Sequence, residues 1–220
     1  MAADRAIAAA EQSGEPLAVV AGHFRLAHAL LRLGRLDQAQ HVAARALDAL
    51  APATHAVDVE PEAVSLLGAM HLVLAIIAGQ QGDRATARSQ LAQARQAADR
   101  LGADRNDHDT EFGPIDVQLH VVAIAVDLGD AGEALDVARG IDASGLSSER
   151  RTRLLVDVAR AHAQRRQAGE ALSALREAEQ LAPEQVHGDP IAGAVARDLV
   201  ALFGRRTPPE LVELGRRCAV

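Results

Sequence analysis

The sequence predicts an all-α chain, a right-handed superhelix of antiparallel helical hairpins, and three observations lead there. Apolar residues recur at i, i+3, i+4 and i+7 along most of the 220 residues. No window alternates with the two-residue period of a half-buried strand. The breaks between periodic segments carry Gly, Pro or Asp, the residues that end helices and build turns.

Taken in order, residues 1–14 read as the second helix of a truncated repeat. The first hairpin, 17–52, joins periodic segments at Leu17 to Leu33 and Gln38 to Leu50 through the turn LGRLD. A second, 62–102, joins Glu62 to Gly79 and Arg84 to Leu101 through QGDR. The third, 114–142, joins Ile115 to Leu128 and Gly132 to Ile141 through LGDAG. A fourth, 150–183, joins Arg150 to Gln164 and Glu170 to Leu181 and ends at the break LAPE. Residues 189–220, with an apolar segment at Ile191 to Phe203 and a further break at TPPE, read as capping helices of one array.

An internal repeat underlies the hairpins. With Gly34, Gly82 and Gly129 as reference points and Arg166 standing in for a fourth, Ala39, Ala87, Ala134 and Ala171 lie five residues on. Seven residues before the references stand Ala27, Ala75, Val122 and Ala159, and twelve after them Ala46, Ala94, Ile141 and Ala178. Small residues at fixed offsets are what two antiparallel helices need where their backbones approach closely. One packing scheme is therefore used four times.

This pattern resembles the tetratricopeptide repeat (TPR), with repeats spaced more widely than that family's period of about 34 residues and with His23, His71, Leu30 and Ala78 at its aromatic positions. The stretch from Asp104 to Asp130, DRNDHDTEFGPIDVQLHVVAIAVDLGD, together with the fourth hairpin and the tail TPPELVELGRRCAV, is similar to the C-terminal region of Xre-like helix-turn-helix transcriptional regulators of high-GC Gram-positive bacteria. In that family a small DNA-binding domain precedes a long array of TPR-like repeats; nothing in this chain reads as that domain. The resemblance implies a ligand-sensing and oligomerisation module, with a peptide or small-molecule ligand held in the concave groove. A stand-alone TPR scaffold that binds another protein is the alternative.

Charge and composition narrow the partners. A formal net charge of −7 argues against direct nucleic-acid binding, which is driven by clustered cations and counterion release. Every one of the 23 basic residues is Arg. The longest unbroken apolar run, near Leu72 to Ala78, falls short of the roughly 20 residues that span a bilayer, and the first residues lack a basic start and apolar core. The chain therefore reads as cytoplasmic, with no membrane partner. The single Cys, Cys218, rules out an internal disulfide and any cysteine-based zinc site. There is no G-x-S-x-G, no H-E-x-x-H and no phosphate-cradling Gly loop, so no enzyme, metal or cofactor is expected. His28, His120 and His162 fall on helices among apolar neighbours and read as hydrogen-bonded core histidines, and His187 as turn chemistry. The cluster Arg150, Arg151, Arg153, Arg165 and Arg166 reads as a solvated helix face.

Carrying the family's groove positions onto this chain gives Phe24, His28, Arg32, Leu72, Ile76, Gln80, Asp116, Leu119, Asp127, Arg153, Val156 and Arg160. Arg160 or Arg153 would supply a cation to an anionic ligand and Asp116 would take an amine; Arg160→Ala is expected to weaken binding while leaving folding nearly intact. Above this floor the sequence places a lip of Arg105, Asn106, Asp107, Thr110 and Phe112 in the acidic connection from Gly102 to Pro114. A calcium loop starting at Asp104 fails there, because Asp109 occupies the position that needs Gly and Ile115 the one that needs Glu. The plainer reading of that connection has Phe112 pinned in the core, Thr110 or Asp109 as a cap, and Pro114 as the first helical residue. Finally, Ile191, Val195, Leu199, Leu202 and Phe203 are too many large apolar residues for one helix face to bury alone, so a homodimer is expected.

Overall fold

The structure, a computed structural model, describes residues 14–54 and 59–218. The expected helix at 1–14 lies, apart from Gly14, outside those residues. Among the described residues eleven α-helices follow one another: α1 (Pro16–Arg32), α2 (Leu36–Thr54), α3 (Pro61–Gln80), α4 (Arg84–Leu101), α5 (Pro114–Asp127), α6 (Ala131–Gly140), α7 (Ser148–Gln164), α8 (Ala168–Leu181), α9 (Pro183–His187), α10 (Pro190–Phe203) and α11 (Pro209–Arg217). No strand occurs among the described residues. Six of the described helices open on a proline at the first helical position, where its missing N–H costs no hydrogen bond (α1, α3, α5, α9, α10 and α11), Pro114 of α5 among them as the sequence predicts. That chemistry explains α9, which the sequence reading treats only as the break LAPE.

The helices fall into two compact units that divide between His120 and Val121. In the first unit, one face each of α1 and α2 closes on α3 through Val20, Ala27, Leu30, Ala43, Leu50, Leu66, Met70, Val73 and Ile77. Helix α3 is the hub. By length and composition alone its twenty residues are apolar enough to cross a membrane, but 78% of its most apolar window is buried inside the protein. A helix that is apolar all round is a core helix when its neighbours cover it. Reading unbroken apolar runs alone overlooks this segment, because Gly68, His71 and Gly79 interrupt it.

In the second unit, α7, α8, α9, α10 and α11 share one cluster around Val156, Leu175, Val186, Val195, Leu199, Leu211 and Leu214. The face of α10 that carries Ala192, Val195, Ala196 and Leu199 is fully inside this cluster, and Leu202 and Phe203 pack against its edge. Short α11 provides the cover, with Leu211, Leu214 and Cys218 on its inner side. The surplus of apolar residues expected on α10 is thereby taken up within the chain. Only Ile191 (46% exposed) and Val200 (39%) remain outside, nine residues apart and so on opposite sides of the helix.

The four reference positions adopt the same turn. Gly34, Gly82 and Gly129 lie in the left-handed region at φ 68°, 74° and 81°, and Arg166 joins them at 58°. At each, the residue after the reference donates its N–H to the carbonyl five residues back: Arg35 to Leu30, Asp83 to Ala78, Asp130 to Ala125 and Gln167 to His162, at 2.8–2.9 Å. The reference N–H itself reaches the carbonyl three residues back in all four. This is the Schellman pairing that satisfies the last carbonyls of a helix. The alanines at the predicted offsets are completely buried, as is Val122; only Ile141 departs, being half-buried.

Left-handed backbone costs a side-chain-bearing residue about 1–2 kcal/mol, a penalty that glycine escapes. Arg166→Gly is therefore expected to stabilise the protein by about 1 kcal/mol, and Gly82→Ala to destabilise it by a similar amount. Urea unfolding followed by far-ultraviolet circular dichroism measures both; an Arg166→Gly midpoint at or below wild type would show that the arginine side chain makes up the backbone cost.

Candidate functional site

The acidic connection between α4 and α5 is built almost entirely from interactions with the first unit. Gly102, at φ 70°, ends α4 in the left-handed conformation that favours glycine. The Asp104 carboxylate accepts from the Ile115 N–H at 3.0 Å and so caps α5, the role that sequence reasoning gave to Thr110 or Asp109. Residues 105 and 112 pair, the Arg105 N–H donating to the Phe112 carbonyl at 2.9 Å. Between them, Asn106 Oδ1 accepts from the Glu111 N–H at 3.1 Å, and the Arg105 guanidinium grips Asp107 with two bonds of 2.6 and 3.0 Å. From α1, Arg25 donates to Asp109 Oδ2 at 2.8 Å and to the His108 carbonyl at 3.2 Å.

Two residues of the connection turn inward. Thr110 is buried and its hydroxyl meets that of Ser65 on α3 at 3.2 Å. Phe112 is completely buried, and its ring occupies the space over Gly68 that any side chain there would need: a Cβ at Gly68 would lie 1.9 Å from the ring. The glycine in α3 is thus the socket and Phe112 the plug. Of the expected lip, Thr110 and Phe112 are anchors, Arg105 is a clamp, and only Asn106 and Asp107 face an opening.

That opening is a cleft of about 630 Å³. Its walls are the start of α1 (Gly14 to Ala18), Glu60 and Glu62 at the start of α3, and Asn106, Asp107 and His108 of the connection. Among the described residues, every formally charged group in the wall is acidic: Glu15, Glu60, Glu62 and Asp107. Carboxylates beside helix N-termini are favoured by the helix dipole, and Glu15 and Glu60 are the N-cap residues of α1 and α3. Neither glutamate makes a side-chain capping hydrogen bond. Arg105 lies just behind, its guanidinium pKa raised by its bond to Asp107 and by the charges of Asp107 and Glu62. Pro16, Leu17 and Ala18 supply the apolar wall.

The sequence expectation missed Glu15, Glu60, Glu62 and His108, although a signal was present. Both helices open on the same Glu-Pro pair, at 15–16 and 60–61.

The groove residues carried over from the family fare differently. Leu72 and Ile76, expected as a ligand floor, are 2% and 9% exposed and belong to the interior. Asp116 and His120 are buried as well, the His120 ring nitrogen lying 2.9 Å from the Asp116 carbonyl, as expected of a core histidine. Phe24 meets His28 edge-on at 4.5 Å between ring centres and packs on the core, while Arg32 and Gln80 are exposed and Leu119 half-buried.

In the second unit, Arg153 is exposed, but Arg160 is committed internally. Its guanidinium donates to Asp127 on α5 at 2.5 Å and to Asp157, one turn earlier on α7, at 2.9 Å. Beside it, Gln164 donates to the Val126 carbonyl at 2.9 Å, a second tie between the same helices. Asp157 is 6% exposed, and that burial pushes its carboxyl pKa up, with Arg160 and Arg153 pulling it back. The expectation that Arg160 is a free ligand cation, dispensable for folding, is corrected here: it neutralises a buried carboxylate.

Among the described residues no group of three His, Cys, Asp or Glu side chains is arranged to hold a metal ion. Of the connection's carboxylates, Asp104 caps a helix, and Asp107 and Asp109 each meet an arginine. No protein-family model matches the chain, and no curated protein matches it.

Proposed function

We propose that this protein is a helical-repeat binding module, the ligand-sensing and oligomerisation part of a bacterial transcriptional regulator, and that its ligand enters the acid-walled cleft of the first unit. The observation that carries the reading is the hairpin turn made four times with the same hydrogen bonds and with buried small residues at all but one of the shared offsets, which is how repeat arrays build rigid recognition surfaces. The cleft then indicates what kind of ligand. A concave site with an apolar wall and a few convergent polar groups is the usual form of a small-molecule or short-peptide site, and here the charged groups are carboxylates. The ligand is an amine, a guanidinium compound or an arginine-rich or lysine-rich peptide. Arg160, the cation expected to meet an anionic ligand, is tied to Asp127 and Asp157 instead.

Calorimetric titration with a panel of amines, guanidinium compounds and basic peptides, beside matched carboxylates and phosphates, tests the reading. Glu60→Gln/Glu62→Gln is expected to weaken the cationic binders about tenfold, within the range for hydrogen bonds to charged groups, and to leave unfolding midpoints close to wild type. Binders indifferent to Glu60, Glu62 and Asp107, or a preference for the anions, would remove the cleft from consideration. A stand-alone scaffold predicts binding of peptides alone, with no small amine bound. The oligomerisation half predicts a dimer in sedimentation equilibrium at tens of micromolar, and a monomer there would strike it out. Absorbance must be read in the far ultraviolet, since the chain has no Trp or Tyr.

A further inference from the structure

We draw no further inference here: the strongest candidate outside the cleft, the Asp127–Arg160–Asp157 cluster joining α5 to α7, is the tie between those helices already described, and nothing in the structure shows a ligand or partner that it faces.

Discussion

Phe112→Ala is expected to lower the stability of the first unit by about 3–5 kcal/mol, the cost of truncating a fully buried aromatic whose site cannot collapse. The ring is 0% exposed and is the atom group nearest to Gly68, so its loss leaves a hole against the hub helix α3. It also unfastens the connection from within, since the Ser65–Thr110 contact and the pairing of Arg105 with Phe112 depend on the same seat. Trypsin should therefore cut after Arg105 in the folded variant and spare it in wild type. Phe112→Leu, which keeps most of the volume, should cost about 1 kcal/mol. The complementary change, Gly68→Ala, forces a methyl group into the ring's space and should cost about 1–3 kcal/mol, the range for overpacking a closed core. An unfolding midpoint for Phe112→Ala within experimental error of wild type, together with an uncut Arg105, would mean that the plug and socket do not hold the connection.

Helix positions were legible because a surface helix writes its buried face at a 3.6-residue period, and α1, α2, α4, α7 and α8 each keep such a face. The turns were legible for a different reason. A left-handed residue five positions before a buried alanine is a local pattern, and the offset identified Arg166 without any glycine to mark it. What was not legible is non-local. Nothing in the spacing of α3 says that Leu72 and Ile76 are covered, because that depends on what packs over them. Nothing near Phe112 announces that Gly68, on an earlier helix, is its seat. The acidic residues of the connection looked alike in the sequence. In the fold Asp104 caps, Asp107 is clamped, Asp109 is latched by Arg25, and only Asp107 of the three also faces the cleft.

The pairing of Arg160 with Asp127, on another helix, is non-local in the same way. Arg160→Ala is expected to destabilise the second unit by about 3 kcal/mol at neutral pH, near the lower end for removing one partner from a buried pair, because the arginine side chain keeps about a fifth of its exposure. The loss comes from Asp157, left as a buried charge with only exposed Arg153 nearby and with Asp127 repelling it. Its folded pKa already lies above the unfolded value of 3.8, chiefly through burial, and removing Arg160 moves it further up. A carboxyl with a raised folded pKa binds its proton more tightly in the native state, so its favourable contribution is present below the unfolded value and fades as pH rises through the folded one. The deficit of Arg160→Ala should therefore shrink as the pH falls from neutral toward 4. In Arg160→Ala/Asp157→Asn, which has no charge left to bury, the deficit should be small and this part of the pH dependence absent. Urea unfolding of the three proteins between pH 4 and 7.5 decides the matter. If the single variant is as stable as wild type at neutral pH, Arg160 is not needed to balance Asp157 and becomes available to a ligand again; if its deficit is large but the same at every pH, the stabilisation comes from the packing of the arginine's aliphatic stem and not from its charge.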